Sequence, residues 1–280
     1  MGSKPLVPGL ETKKSPARAR ALYRRDSPSR CRLSRPHPLL LRLRFTLEEA
    51  RHAPLQPGTR FVDKISRSRH IREVTLPRVQ PIIPSWRREP FDNPDWLFDF
   101  KYDGFRGLCY LEQGRCRFIS RNGNVLSRFE ALADQVAAVL DVDEAVIDGE
   151  VIATDQTGRP QFYELLRVPR NACYVVFDIL WADDTDLRSL PLDERRRRLQ
   201  GILPKGSPIV SEALSVAGKG RELFQLMCPN DLEGVVAKRR VDPYDSRIRW
   251  LKIKNPDYSQ KEGRGDLFNG PRQRTARTAG

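Results

Sequence analysis

Chemistry in this chain centres on Lys101-Tyr102-Asp103-Gly104-Phe105-Arg106, where a lysine and an arginine flank an Asp-Gly pair. Leu97 to Tyr102 alternates, with Phe98, Phe100 and Tyr102 on one face and Asp99, Lys101 and Asp103 on the other, which predicts a half-buried strand. A lysine on the polar face of such a strand, ending in a tight Asp-Gly turn, is held rigidly and points into a cleft. A lysine nucleophile would be presented in this way. Taken alone, the pattern is equally satisfied by a strand and turn carrying two surface cations.

Five further segments follow in order. Ser120-Arg121-Asn122-Gly123 sets an arginine in a turn. Asp148-Gly149-Glu150 places two carboxylates at i and i+2, on one face of a strand. Phe177-Asp178 interrupts an otherwise apolar strand. Glu233-Gly234-Val235-Val236-Ala237-Lys238 and Lys252-Ile253-Lys254 complete the set, and alternation with Leu251 and Ile253 puts Lys252 and Lys254 on one face. Each has a bland reading by itself: a core aromatic for Phe177, strand-edge charges for Glu150 and Glu233, a turn-stabilising residue for Asp148, a solvated face for the two lysines. Together those readings require several coincidences in a fixed order.

Other chemistries are excluded by what the 280 residues lack. The three histidines, His37, His52 and His70, lie in the first quarter of the chain, so a folded part beginning beyond them has no imidazole for a Ser-His-Asp or Cys-His triad, a HExxH helix or a His-ligated zinc. No GxxxxGK[ST] loop occurs. The five cysteines include no CxxC pair and are odd in number, which argues for reduced thiols rather than a disulfide framework. No apolar run approaches the roughly 18–20 residues of a membrane span.

The elements that must position these residues begin after a change in composition. Residues 1–74 hold 18 Lys+Arg against 6 Asp+Glu, leaving 32 against 30 for residues 75–280, so nearly all of the net charge of +14 sits in the first segment. That segment is rich in Arg, Pro and Ser and reads as a mostly disordered tail: a nucleic-acid-binding arm, a solvated extension or a transit peptide. From residue 75 a proline-punctuated lead-in gives way to strands. Arg115 to Ser120, after a turn at Gln113-Gly114, is expected to partner the Leu97 strand. Residues 129–140 read as an amphipathic helix, Ala145 to Thr154 and Ala172 to Trp181 as strands, and Leu192 to Leu203 as a helix whose Arg195 to Arg198 run forms a solvated face. Gly220 to Met227 reads as a helix, and Glu233 to Arg239 and Trp250 to Asn255 as strands. Strands with a few interspersed helices predict an α+β fold with antiparallel sheets.

In these six segments the sequence resembles the covalent nucleotidyltransferases, and most closely the ATP-dependent DNA ligases, in particular the ligase domain of bacterial non-homologous end-joining ligases. The likeness runs from about Trp96 to Asn255 and extends between motifs, in Tyr174 to Leu180, Leu190-Pro191-Leu192 and Leu232-Glu233-Gly234. It implies an α+β, ATP-grasp-like nucleotidyltransferase (ligase adenylation) domain over residues 75–258, with flanking helices and a polar tail at 259–280. It further implies that Lys101 attacks the α-phosphate of ATP to form lysyl-AMP, which is then passed to a 5′-phosphate at a nick in double-stranded DNA, in repair or recombination. Lys252 and Lys254, with a divalent Mg2+ or Mn2+, would favour the neutral amine and offset phosphate charge. Phe177 would stack on adenine, Glu150 would hold the ribose hydroxyls, and Arg106 and Arg121 would bind the ribose-phosphate. Glu233, with Glu150, would ligate the metal. Asp99 stands where many members carry a glutamate that reads the adenine amine.

After Asn255 only 25 residues remain, too few for the OB-fold that closes over ATP and DNA in family ligases. Two expectations follow: a minimal or partner-assisted ligase of the bacterial cytoplasm or nucleoid, with a protein supplying the missing clamp, or a weakly active adenylation module serving as a nucleic-acid-binding accessory. RNA ligation or GTP-using capping chemistry fits the inter-motif segments less well.

Overall fold

The computed structural model describes residues 76–261 apart from Thr157. The basic segment 1–74 and the polar residues beyond 261 therefore lie outside the described residues. Within them the chain is α+β. In order it forms β1 (Ser85–Trp86), β2 (Asn93–Phe100), β3 (Phe105–Glu112), β4 (Arg115–Ser120), α1 (Glu130–Val139), β5 (Ala145–Ala153), α2 (Phe162–Arg167), β6 (Ala172–Ala182), β7 (Thr185–Asp186), α3 (Leu192–Ile202), β8 (Val210–Glu212), β9 (Ser215–Gly218), α4 (Gly220–Gln225), β10 (Gly234–Arg239) and β11 (Leu251–Lys254). No helix among the described residues is long and apolar enough to cross a membrane.

The strands make two sheets, ordered β1-β11-β10-β2-β9 and β4-β3-β5-β6-β7, with β8 beside β6. Pairing is antiparallel except at β1/β11 and β6/β8. Period-two alternation divides each sheet into two faces. In the first sheet Phe98, Phe100, Val235, Ala237 and Ile253 turn away from the second sheet to form a core with Leu223 and Met227. In the second, Cys109, Leu111, Ile147, Val151, Tyr174 and Val176 pack beneath Leu132, Ala133, Val136 and Ala137, the buried stripe of α1. The remaining faces meet through a third cluster that includes Leu108, Tyr110, Val146, Leu180, Tyr244 and Trp250.

Two expectations about the first motif are corrected. The partner of β4 is β3, in register from Gly107↔Ser120 to Glu112↔Arg115, whereas the strand carrying Asp99 belongs to the other sheet and pairs with β10 and β9. Lys101 to Gly104 is consequently not a hairpin turn but the segment by which the chain crosses from one sheet to the other. Gly104 is required by close approach, because a Cβ there would lie 2.1 Å from the Val151 carbonyl oxygen. Buried Asp103 accepts a hydrogen bond from the Tyr258 hydroxyl at 2.6 Å, tying the crossing to the end of the fold. The chain continues past Tyr258 into a 3-10 turn, Ser259–Lys261, where Ser259 bonds Asp231 and Gln260 accepts from the Phe162 amide.

The arginine run on α3 is also corrected. Arg197 and Arg198 are exposed, but Arg195 and Arg196 are buried. Arg195 grips Asp178 of β6 with Nε at 2.7 Å and Nη2 at 2.9 Å, and Arg196 Nη2 reaches Asp99 of β2 at 2.6 Å. Removing one partner of a buried pair strands the other charge and costs about 3–5 kcal/mol. Arg195→Met is therefore expected to lower unfolding free energy by about that amount in urea titrations, whereas Arg197→Ala changes it by less than about 0.5 kcal/mol. Equal small effects of the two substitutions would contradict the burial of Arg195.

Candidate active site

A cavity of about 540 Å³ opens between the facing surfaces of the two sheets. Its lining includes Asp99, Lys101, Arg106, Arg121, Glu150, Phe177, Lys238, Lys252 and Lys254, so each of the six sequence segments contributes at least one residue. Glu233, at the start of the fifth segment, adjoins this lining, and its Oε2 accepts from Lys101 Nζ at 2.7 Å. Three strands converge to make this contact. Lys101 follows β2, and its amide donates to the Gly234 carbonyl at 2.9 Å. Gly234, at φ +144°, lies so close to β11 that a Cβ would fall 2.1 Å from the Ile253 oxygen, and the Asn255 amide bonds the Glu233 carbonyl. Glu233 Oε1 lies 3.5 Å from Lys254 Nζ, so both carboxylate oxygens face ammonium groups.

The charges sort along the cavity. Lys252 and Lys254 project from one face of β11, as alternation predicts, with Val236 and Gly234 opposite them on β10. Arg121 stands exposed in the turn after β4. Partial burial, reinforced by the neighbouring charges of Lys254, Lys101 and Arg121, holds the Lys252 ammonium below its ordinary pKa. Such mutual repulsion is relieved by an anion. On the second sheet, Glu150 sits opposite Arg106 in the β3/β5 register. Burial lifts its carboxyl to about 7 against the opposing pull of Lys101 and Arg106.

Phe177 reaches the cavity through a bulge. Asp148 pairs with Asp178 and Gly149 with Val176, leaving Phe177 as the additional residue between them. A bulge re-aims a side chain that regular alternation would place elsewhere. The ring meets Trp250 edge to face, with centroids 6.0 Å apart, and Lys238 Nζ lies 4.2 Å from one centroid and 4.0 Å from the other. Cations held over ring faces are stabilised by the ring quadrupole. Burial still lowers the Lys238 ammonium to about 8, with nearby Asp99 pulling in the opposite direction. The cavity thus has an aromatic end and a cationic end, an arrangement suited to a ligand with a flat ring at one end and phosphates at the other.

Two predicted residues are engaged in ways their motifs do not reveal. Asp99 accepts from Ser215 Oγ and Arg196 Nη2, both at 2.6 Å, and lies 2.7 Å from Lys238 Nζ, so most of its acceptor capacity is already used. Arg106 is clamped by Asp148 through Nε at 3.0 Å and Nη2 at 2.6 Å, donates Nη1 to the Ile82 carbonyl, and has the Tyr244 hydroxyl 3.4 Å from Nη2. Burial opposes the Arg106 charge, but Asp148 outweighs it and holds the guanidinium above its ordinary pKa. Sequence reasoning overlooked Lys238, Trp250, Arg196 and Ser215. Only Lys238 carried a local signal, since it alternates with Val236 on the cavity face of β10.

The carboxylates fit a divalent cation. Mg2+ is commonly held by one or two carboxylates together with substrate phosphates and water. Glu150 suits this set because burial suppresses its ionisation despite the pull of Lys101 and Arg106, and an added cation would favour the charged form. Glu233 could contribute only in competition with Lys101 and Lys254.

Residues 87–254 match the family described as ATP dependent DNA ligase domain. The chain is 32% identical over 184 residues to the multifunctional non-homologous end joining protein LigD of Pseudomonas aeruginosa, covering 63% of this chain and 22% of LigD. It is 31% identical over 193 residues to the SPbeta prophage-derived DNA ligase-like protein LigB of Bacillus subtilis, covering 65% of this chain and 69% of LigB. Among solved structures, mycobacterial DNA ligase D complexed with ATP and MES superposes with a TM-score of 0.53 at 26% identity, over 62% of this chain and 60% of that one. The match thus spans about a fifth of the LigD protein.

The raised pKa of Glu150 sets a pH test. Between about 4.5, its ordinary value, and about 7, the folded chain retains a proton that the unfolded chain has lost. Folding stability attributable to this group therefore falls as pH rises through that window, and the loss is complete above it. Without nucleotide or divalent metal, Glu150→Gln should gain about 1–3 kcal/mol on the parent protein between pH 4.5 and 8. Chemical denaturation at several pH values measures this; a gap independent of pH would contradict the suppressed ionisation.

Proposed function

The chain belongs to the ATP-dependent DNA ligase domain family, and on that premise we propose that residues 75–258 form an adenylation domain that loads AMP onto Lys101 and transfers it to a 5′-phosphate at a nick in DNA. The observation that carries this reading is the Lys101 amine, held against Glu233 at 2.7 Å between the cationic and aromatic ends of one cavity. In this reading the base of ATP lies against Phe177 and the triphosphate lies toward Lys252, Lys254 and Arg121. Glu150, opposite Arg106, holds the ribose and a divalent cation. Bound Mg2+ supplies charge neutralisation at the phosphates.

The ammonium of Lys101 first gives up one proton, for which the Glu233 carboxylate is the adjacent acceptor. The neutral amine then attacks the α-phosphorus, forming the N–P bond as the bond to the bridging oxygen breaks. Pyrophosphate departs and the nitrogen loses a second proton, leaving lysyl-AMP. Lys252 and Lys254 offset the charge that develops on the phosphate oxygens. Arg106, fixed by Asp148, forms the cavity wall beside Phe177, its guanidinium carbon 5.5 Å from the ring centroid. Asp99 anchors Lys238 beneath the base.

Incubation with α-labelled ATP and Mg2+ followed by denaturing electrophoresis should place an acid-labile label on the chain, and Lys101→Ala should abolish it. Phe177→Ala should raise the ATP concentration required by about five- to 150-fold, the equivalent of a lost stacking contact. A nicked duplex should then be sealed, with or without an added clamp protein. Absence of label, or label that survives Lys101→Ala, would overturn the reading. Label without sealing under either condition would instead favour an accessory module.

A further inference from the structure

Beside the cavity, the edge of the first sheet carries an aromatic residue for which the adenylation chemistry has no use. β1 runs parallel to β11, with the Ser85 amide bonded to the Trp250 carbonyl at 2.8 Å and the Arg87 amide to the Lys252 carbonyl at 3.0 Å. This register sets Trp86 opposite Lys252, so the indole projects from the same sheet face as Lys252 and Lys254. Trp86 is 65% exposed, the most exposed large hydrophobic among the described residues, while Trp96, Trp181 and Trp250 are buried or half-buried. It makes no ring contact among the described residues. Ile83 and Pro84, just ahead of it, line the cavity mouth.

An isolated exposed aromatic is unremarkable in itself. The surroundings of Trp86 give it meaning. Lys252 and the half-exposed Lys254 lie beside it on β11, and Arg121 lines the cavity near Lys252; the exposed Arg88 that follows in the chain is paired with Glu89 at 3.5 Å and adds little to this field. A flat apolar ring in a field that attracts phosphate is the combination by which proteins hold an unpaired nucleic-acid strand, through base stacking and backbone contact. An apolar protein partner would be opposed by the cost of desolvating these cations.

We propose that Trp86 is a stacking platform for an unstacked base of the DNA strand whose phosphate enters the cavity at Lys252, Lys254 and Arg121. The proposal rests on the ligase reading for its substrate, since it places the base next to the phosphate that receives AMP. Trp86 lies outside the nucleotide cavity and takes no part in loading Lys101.

The test compares the parent chain with Trp86→Ala and Trp86→Phe, using fluorescence anisotropy with a labelled nicked duplex and, separately, lysyl-AMP formation from ATP. Trp86→Ala should weaken DNA binding by about five- to 150-fold, and Trp86→Phe should restore most of the loss. The dependence of binding on salt should be unchanged, because no phosphate contact is removed, whereas Lys254→Ala should flatten it. Lysyl-AMP formation should remain at the parent rate in both Trp86 variants. Undiminished DNA binding by Trp86→Ala, a parallel loss of lysyl-AMP, or a change confined to self-association would each overturn the proposal. Failure of the parent chain itself to form lysyl-AMP would count against the ligase reading alone, leaving the binding comparison to judge Trp86.

Discussion

Three aspartates removed from water, Asp99, Asp148 and Asp178, govern this structure, because each is buried where the two sheets face one another. A carboxylate in that position must be paired or lose its charge. Each has a cation: Arg196 and Lys238 for Asp99, Arg106 for Asp148, Arg195 for Asp178. The pairs serve position as well as charge. Consecutive residues on a helix point about 100° apart, and on α3 that divergence sends Arg195 to β6 and Arg196 to β2. One helical turn therefore staples the two sheets, and the cavity is the space left between them.

Lys101, the proposed nucleophile, depends on the same frame. β2 ends at Phe100, and the chain crosses to the other sheet through Lys101, Tyr102, Asp103 and Gly104. Tyr102 is half-buried, and its hydroxyl accepts from the Leu214 amide at 3.2 Å; burial raises its pKa to about 12. Asp103 is held by Tyr258. With its neighbours fixed on both sides, Lys101 projects into the cavity toward Glu233. Strand β10 contributes to both ends: Glu233, just before it, meets the lysine, while Lys238, near its end, lies between Phe177, Trp250 and Asp99.

Much of this was legible in the sequence where a residue's role is local. Period-two patterns located β4, β5, β6, β10 and β11, and helical spacing located α1 and α3, to within a residue or two. β3 was missed because Leu108, Cys109, Tyr110 and Leu111 are all buried, so a strand covered on both faces shows no alternation. The arginine run was misread for a different reason. Its partners lie 17 and 97 residues away, and a buried cation is indistinguishable in sequence from a solvated one until the fold supplies the carboxylate. The same distance concealed Asp99's engagement. The order of the six motifs nevertheless picked out residues that line or adjoin the cavity, although they sit at different places in their elements: Lys101 just past β2, Phe177 at the bulge within β6, and Lys252 and Lys254 along β11.

Four lysines belong to this cavity, Lys101, Lys238, Lys252 and Lys254, and Lys101 is the one proposed to make the nucleophilic attack. The assignment follows from position: Lys238 is buried against Asp99 and two rings, while Lys252 and Lys254 lie on the face proposed to receive phosphate. Tandem mass spectrometry of the chain after incubation with ATP and Mg2+, with peptides recovered under conditions that preserve phosphoramidates, locates the adduct directly. AMP on the peptide fragment bearing Lys101 and on none of the other three is the predicted result; AMP on Lys238, Lys252 or Lys254 would contradict it.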